Sequence, residues 1–290
     1  MAEKGIFWDY ITPIKETLKG KSTAKAQDLR KLIYHSRKIL FKHTYRNYSV
    51  DQAVERLLKP SWIKNIRGFD PEEWEKTAAL VYERARKLIR LIPKPDILLY
   101  PSFGGSNGRV YKLDKKPIMG LSPDFGFCKG ENLKCMMAHE YAHFMRYRKI
   151  GTPPEKQKIY SHIYEEGWAI FMTRRIFPKK PSDIVFMSNL HHAIGLPNPQ
   201  GGYIRWCKKH LKEIAAAALP VLSSNSFVDT KRFFQCGRFK RGNTPIRVGY
   251  YLGAEMMENL AKDHSIHELY RLKPNARIVG KWLEGIISRI

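Results

Sequence analysis

One stretch decides which fold this chain is expected to have: His139-Glu140-Tyr141-Ala142-His143. On a helix, residues four positions apart lie one turn above each other on the same face, so both histidines can point their imidazoles at one metal ion. Glu140 is rotated about 100° from His139 at ~3.6 residues per turn, which puts its carboxylate beside the two ligands. A carboxylate in that position can act as the general base for a metal-activated water.

The residues around this stretch predict a single helix from Glu131 to Lys149. Gly130 or Asn132 can cap its start, and Gly151 followed by two prolines ends it. Many apolar residues between these ends indicate a buried helix, and a metal site needs such rigid support. The alternative is a core helix whose two histidines bond to neighbouring groups without a metal. Three cations are expected in its last turn, where the helix dipole favours positive charge: Arg146, Arg148 and Lys149.

A catalytic zinc site has three protein ligands and one open position for water, so a third ligand is needed. A second helix is predicted from about Lys156 to Phe177, and it contains Glu165-Glu166-Gly167-Trp168-Ala169. If the two helices lie side by side, a carboxylate of the second can reach the histidines of the first. Gly167 costs ~1 kcal/mol of helix stability, which favours a close approach of another backbone at this point. Glu166 and Glu165 are rival ligands, and a solvated acidic pair is the alternative to both.

The order His-Glu-x-x-His, then Glu-Gly-x-Ala on the next helix, resembles the gluzincin metallopeptidases. More narrowly, it is similar to bacterial predicted zinc-dependent proteases that are described as domains of unknown function. The resemblance covers roughly residues 95–290 and implies a zincin-like fold, Zn²⁺ as the cofactor and hydrolysis of peptide bonds. It also makes Glu166, directly before the glycine, the third ligand beside His139 and His143. In one departure, this chain has Ile170 where thermolysin-like enzymes place an Asp that orients a zinc-binding histidine.

The resemblance also bears on the group that stabilises the oxyanion formed during peptide hydrolysis. In the related proteases a Tyr followed three residues later by a small residue occurs in a later helix, and Tyr250 with Gly253 matches that arrangement. That helix is predicted from Arg247 to about Lys262. The phenol of Tyr250 is therefore expected near the metal, with Tyr251 and Arg247 as alternatives. The plain interpretation is a buried tyrosine that anchors a helix interface.

The spacing of apolar residues changes near residue 92, which divides the chain into a helical N-terminal region, residues 1–92, and an expected metallopeptidase domain, residues 93–290. Asp70-Pro71-Glu72-Glu73 opens the clearest helix of the first region. The expected fold class is α+β, zincin-like and mainly helical, with a C-terminal helical lobe. The edge strand of the small sheet can pair with an extended peptide substrate. Three apolar runs separated by turns predict that sheet: residues 97–100, 109–113 and 118–121.

A formal net charge of +25 at pH 7 is spread along the chain. It favours attraction to polyanions such as nucleic acid or an anionic membrane surface. It also motivates an alternative function, a basic nucleic-acid-associated binding protein with a structural or vestigial zinc site. A structural site would need a fourth protein ligand, which Cys135 or His162 could supply. The sequence carries no nucleic-acid-binding motif.

Neither the cysteines nor the apolar segments indicate export or a membrane span. No run of ~18 apolar residues is long enough to cross a bilayer, and residues 1–10 lack the basic and apolar regions of a secretory signal. We therefore expect a cytoplasmic protein that acts on a peptide or protein substrate. Four cysteines form neither a Cys-x-x-Cys motif nor a disulfide framework, which favours a reducing compartment: Cys128, Cys135, Cys207 and Cys236.

Overall fold

The structure, a computed structural model, is mainly helical with one small sheet in the described part, so the predicted α+β class is confirmed. Several sequence predictions fall outside the described residues: Cys128, Cys236, residues 104–106 of the predicted turn, and the prolines Pro153 and Pro154. The described residues are 7–19, 26–33, 49–90, 92–102, 107–113, 116–123, 129–151, 157–179, 202–235, 238–240 and 244–288.

The sheet has four strands in the order β1-β2-β4-β3. These are β1 (Phe7–Asp9), β2 (Ile97–Leu99), β3 (Gly108–Leu113) and β4 (Lys116–Leu121). β1 and β4 both pair in parallel with β2, whereas β3 pairs antiparallel with β4. β2 is buried throughout, as expected of an unbroken apolar run in a central strand. The three strands predicted between residues 97 and 121 are confirmed, but β1 lies in the region predicted to be helical.

Two of the helices before β2, α1 and α5, start next to an aspartate that caps them. Asp9 accepts hydrogen bonds from the backbone N–H of Ile11 at 2.7 Å and of Thr12 at 3.0 Å, so the end of β1 also caps α1. Asp70 accepts one from the N–H of Glu72 at 3.0 Å, at the predicted start of α5. The helices are α1 (Ile11–Lys19), α2 (residues 26–33), α3 (Val50–Leu57), α4 (Pro60–Arg67) and α5 (Pro71–Leu88).

Two long helices follow the sheet, α6 (Gly130–Ile150) and α7 (Ile159–Ile176). They agree with the two helices predicted around the His-Glu-x-x-His stretch and the Glu-Gly-x-Ala stretch to within a few residues. α7 buries side chains on all sides, which is typical of a helix in the core. The indole Nε1 of Trp168 on α7 donates a hydrogen bond to the carbonyl of Ala142 on α6 at 3.2 Å, so the two helices are in direct contact.

The remainder of the described chain is helical, as predicted for the C-terminal lobe. Its central member, α11, packs along α7. Gly253 on α11 faces Gly167 on α7, and the two backbones touch at this point. The helices are α8 (Tyr203–Lys209), α9 (Leu211–Ala218), a 3-10 turn (Leu219–Val221), α10 (Phe227–Phe234), α11 (Val248–Leu260), α12 (Ile266–Arg271) and α13 (Ala276–Ile287).

The packing groups the chain into two compact units. One combines Met1–Tyr82 with Pro93–Glu140, and the other combines Glu83–Ile92 with Tyr141–Ile290. The division falls within α5 and within α6, so it does not define which segments fold independently. A boundary near residue 92 therefore stays a prediction. Among the helices that the structure describes, none is both long and apolar enough to span a bilayer.

Candidate metal centre

The two histidines of the sequence motif and one carboxylate of the next helix form a compact group of donor atoms. His139 and His143 lie on α6, and Glu166 lies on α7. One ligand atom from each lies within 4.8 Å of the other two. The Nε2 of His143 and the Oε2 of Glu166 are 3.2 Å apart. These are the three side chains that the sequence predicts as metal ligands, and the structure brings them together.

Two imidazoles and one carboxylate are a donor set that can hold a divalent metal ion. At metal–ligand distances of about 2.0–2.1 Å, two tetrahedral ligands lie about 3.4 Å apart, close to the separation of His143 and Glu166. His139 is buried, while the side chains of His143 and Glu166 keep 20% and 15% of their exposure, so the group has an accessible side. Within the part of the chain that the structure describes, no fourth His, Cys, Asp or Glu joins the group. Cys135, a candidate fourth ligand, is a buried core residue.

A buried ion pair gives the two rival glutamates different surroundings. The guanidinium of Arg146 donates to Glu165 from Nη2 at 2.7 Å and from Nε at 3.2 Å. The side chain of Arg146 is 1% exposed, so this pair lies in the core. Adjacent helical residues point about 100° apart. Glu165 therefore faces Arg146, and Glu166 faces His143.

Arg146 does not serve the role that the sequence suggests for it. The sequence predicts Arg146 in the last turn of its helix, but α6 continues to Ile150 and Arg146 lies inside the fold. Its Nη1 also donates to three backbone carbonyls at the end of α12 and just beyond: Leu269 at 3.2 Å, Tyr270 at 2.8 Å and Leu272 at 2.9 Å. One side chain thus ties α6, α7 and α12 together. No local pattern in the sequence signals this, because an Arg near a helix end is usually exposed.

Gly167 is explained by a contact with α11 rather than with α6. A Cβ on Gly167 would meet the carbonyl of Gly253, and a Cβ on Gly253 would meet the carbonyl of Ile163. The close backbone approach predicted from the glycine is therefore confirmed, and its partner is the helix that carries Tyr250. Gly167 directly follows Glu166, so this contact helps to set the rotation of α7 about its axis and thereby the direction of Glu166.

Glu140 is buried, with 6% of its surface exposed, and its carboxyl group lies against the backbone of β3. A Cβ built on Gly108 would meet the Cγ, Cδ and Oε1 atoms of Glu140. Gly108, the first residue of β3, therefore leaves the space that the carboxylate fills. No local sequence pattern signals this role of Gly108, because the role depends on which residue of α6 faces β3.

Tyr250 lies in the first turn of α11 and is buried. Its ring centroid is 6.2 Å from that of Phe234, and the guanidinium carbon of Arg247 lies 5.3 Å from its ring centre. Phe234 in turn stacks on His162 at 5.1 Å, one turn before Glu166. These contacts connect Tyr250 to the metal group through intermediate rings. Its role as an oxyanion donor stays a prediction.

His162 lies near this group, and Arg247 lies beside Tyr250. Burial lowers the pKa of His162; the charge of Glu166 opposes that shift and His143 reinforces it. His162 is therefore a neutral neighbour of the donor group, consistent with a packing role. Arg247 has a left-handed backbone with φ of 58°, and its carbonyl accepts a hydrogen bond from the hydroxyl of Tyr203 at 2.7 Å. Its Nε is buried and makes no hydrogen bond to any residue that the structure describes.

The alternative oxyanion donor Tyr251 has different surroundings. Burial raises the pKa of its hydroxyl, as do the charge of Glu255 and a hydrogen bond with it. Cys207 on α8 contributes in the same direction, and Arg174 on α7 opposes it. The charges that act on Tyr251 are thus those of Glu255, Cys207 and Arg174. None of these is a proposed metal ligand, whereas two proposed ligands, His143 and Glu166, act on His162.

Comparison with known proteins gives little further information. No protein-family model matches the chain, and no curated protein matches it. One solved structure that is similar is described as the "putative lipoprotein from Colwellia psychrerythraea", with 14% sequence identity and a TM-score of 0.42. The match covers 95% of this chain and 55% of that one, so the chain spans about half the length of that protein. At this identity and TM-score the likeness supports no conclusion about fold or function.

Proposed function

We propose that the protein is a zinc-dependent peptidase of the gluzincin type. The observation that carries the proposal is the convergence of His139, His143 and Glu166 from two neighbouring helices, with a donor set that suits Zn²⁺ and leaves a coordination position for water. Zn²⁺ held there would activate a water molecule at neutral pH and polarise a substrate carbonyl. The rest of the chemistry falls to side chains of the chain itself.

Glu140 is the proposed general base. It follows His139 directly on α6, so its carboxylate lies beside the ligand pair, and Gly108 leaves room for it in a buried position. The carboxylate accepts a proton from the attacking water and then delivers it to the leaving amine. Burial keeps bulk water from competing for these hydrogen bonds, which strengthens them. Tyr250 is the proposed donor to the oxyanion, with Arg247 as the alternative.

The sheet offers a way to hold an extended peptide. β3 is an edge strand, and its first residue is Gly108, which lies against Glu140. A peptide that adds to an edge strand forms main-chain hydrogen bonds with it and leaves alternate side chains to be read by pockets. A substrate bound along β3 would therefore pass close to the proposed base. This supports an extended polypeptide as the substrate class.

The proposal is tested by metal analysis together with cleavage of a peptide library. We expect the purified chain to bind a single zinc ion and to cleave a subset of peptides, with activity removed by a chelator and restored by zinc. Glu140→Ala should keep the zinc and lose hydrolysis, whereas His143→Ala should lose both. A Glu140→Ala protein that cleaves as fast as the wild type would exclude Glu140 as the base. Wild-type protein that binds no zinc would exclude the proposal as a whole.

The net charge of +25 supports a second candidate, a nucleic-acid-associated protein with a structural or vestigial zinc site. A structural zinc site needs four protein ligands. Among the described residues only three converge, which favours the peptidase. Binding of duplex or single-stranded DNA that weakens steeply with salt, in a protein that cleaves no peptide, would instead favour this second function.

A further inference from the structure

Two large apolar side chains stand out from the surface at the start of α10. Phe227 is 67% exposed and Val228 is 74% exposed, and no other large apolar residue of the described chain is as exposed. At the C-terminal end of the same helix, the apolar residues Phe233 and Phe234 are buried. An exposed aromatic and an exposed aliphatic residue next to each other cost solvation free energy. The pair is therefore a candidate binding surface, and its surroundings must say what it binds.

The turn that presents this pair is held in place by hydrogen bonds. The backbone carbonyls of Ser224 and Leu222 accept from the N–H groups of Ile159 at 2.9 Å and Tyr160 at 3.0 Å, at the start of α7. The hydroxyl of Ser226 caps α10 by accepting from the N–H of Asp229 at 3.1 Å. Phe227 and Val228 thus lie in the first turn of α10, and the residues just before them are bonded to the core helix α7.

Exposed lysines flank the pair. Lys231 follows Phe227 by four residues and Val228 by three, so it lies on the same side of α10, and it is exposed. Lys158 directly precedes α7, beside the anchored turn, and is also exposed. The acid of this turn is Asp229, whose carboxylate accepts from the hydroxyls of Ser224 at 2.6 Å and Ser226 at 2.7 Å. The carboxylate of Asp229 thus points toward the residues before α10.

We propose that this face docks on an anionic lipid membrane. Phe227 and Val228 enter the boundary between headgroups and acyl chains, while Lys158 and Lys231 contact lipid phosphates and carboxylates. A net charge of +25 attracts the protein to such a surface from a distance. The attachment is reversible, because only two apolar side chains insert. This inference does not depend on the proposed peptidase.

Two other occupants fit less well. A stable protein interface buries about 800 Å² on each partner, which two side chains do not provide, so a second copy of the chain is disfavoured. Single-stranded nucleic acid binds by stacking its bases on aromatic rings. An aliphatic residue such as Val228 offers no face for stacking, so its exposure beside Phe227 favours lipid.

The test is sedimentation of the full chain with vesicles. The probes are vesicles of pure phosphatidylcholine and vesicles that contain about 30 mol% phosphatidylserine. We expect wild-type protein to bind the anionic vesicles and not the neutral ones. The double variant Phe227→Ser/Val228→Ser should bind the anionic vesicles about tenfold more weakly, because the inserted apolar surface is lost. Its melting temperature should not change, since both side chains are exposed.

A matched pair of charge variants separates this site from general attraction. Lys231→Gln should weaken vesicle binding about fivefold, the contribution expected of a lysine near an anionic surface. Lys87→Gln removes the same charge from the exposed face of α5 and should have little effect. The proposal is overturned if the double serine variant binds like wild type, if both charge variants weaken binding equally, or if no vesicle is bound. Loss of DNA binding in the double serine variant, without vesicle binding by wild type, would assign the face to nucleic acid instead.

Discussion

Arg146 and Glu165 form a bidentate ion pair in the core, with Nη2 of the arginine 2.7 Å from Oε1 and Nε 3.2 Å from Oε2. The same guanidinium lies 4.7 Å from the ring centre of Tyr164, whose hydroxyl donates to the carbonyl of Leu269 at 2.8 Å. Glu165 directly precedes the proposed ligand Glu166, and Arg146 follows the proposed ligand His143 by three positions. The ion pair therefore sets how α7 is turned relative to the second half of α6.

Arg146→Ala should destabilise the protein by about 3–5 kcal/mol, because it leaves Glu165 as a buried charge without its partner. Urea unfolding followed by circular dichroism measures the change. The control is Arg148→Ala, since Arg148 is exposed and such a substitution should change the free energy of unfolding by no more than about 0.5 kcal/mol. Equal effects of the two variants would show that the ion pair contributes nothing specific.

Glu165→Gln and Glu166→Gln should affect different properties. Loss of a residue that supports a metal ligand weakens metal binding by about 10–100-fold, so loss of Glu166, itself a proposed ligand, should weaken it further. Competition with a fluorescent chelator measures zinc affinity. Glu165→Gln should instead lower the stability of the metal-free protein, where Glu166→Gln should have little effect. If Glu165→Gln proves the worse zinc binder, the assignment of the third ligand is wrong.

Gly108→Ala should reduce peptide hydrolysis by about 100-fold, because a displacement of the base by about 1 Å is enough for such a loss. The added methyl group occupies the space of the Glu140 carboxyl group. Zinc affinity should stay near that of wild type, because Glu140 is not a ligand. Steady-state kinetics and a zinc titration of the same preparation check both points. Full activity in the alanine variant would mean that Glu140 does not act from its present position.

Gly253→Ala should destabilise the protein by about 1–3 kcal/mol or more, because the methyl group meets the backbone of α7 at Ile163 and Gly167. A matched control is Gly285→Ala in α13. No atom lies within 4 Å of a Cβ at that position, so the alanine should stabilise the helix by about 0.5–1 kcal/mol. Thermal unfolding distinguishes the opposite signs. Two variants that move the melting temperature in the same direction would contradict the packing described for α7 and α11.

Zinc should stabilise the folded chain by mass action. At a free zinc concentration about 100 times the dissociation constant, the gain is about 2.7 kcal/mol. Scanning calorimetry with and without zinc measures it, and His143→Ala should abolish the shift. Stabilisation of the variant by the same amount would place zinc somewhere other than the proposed centre.

The site was predictable from sequence to the extent that it depends on helical periodicity. The spacing of His139 and His143 fixes their common face, and the structure agrees. The choice between Glu165 and Glu166 was not fixed in this way, because it depends on which side of α7 faces α6. That orientation is set by Arg146 and by the contact of Gly167 with Gly253, and residues so distant in the chain leave no local pattern.

The fold, too, could be predicted only where a local sequence pattern exists. Long helices such as α5, α6 and α7 show their periodicity and their end signals, so they were predicted to within a few residues. β1 is not predicted because a strand of three residues is too short to show alternation. Its partner β2 lies at residues 97–99, beyond the reach of any local pattern.

The pairing of β1 with β2 also bears on how the chain is synthesised and handled. Phe7 pairs with Ile97, so the ribosome must deliver the whole intervening segment before that edge of the sheet can form. Until then β1 has no partner, and without β1 this edge of β2 would stay open to pairing with another chain. Removal of residues 1–9 would leave that edge exposed permanently, so a chain shortened in this way is expected to associate with other copies through β2.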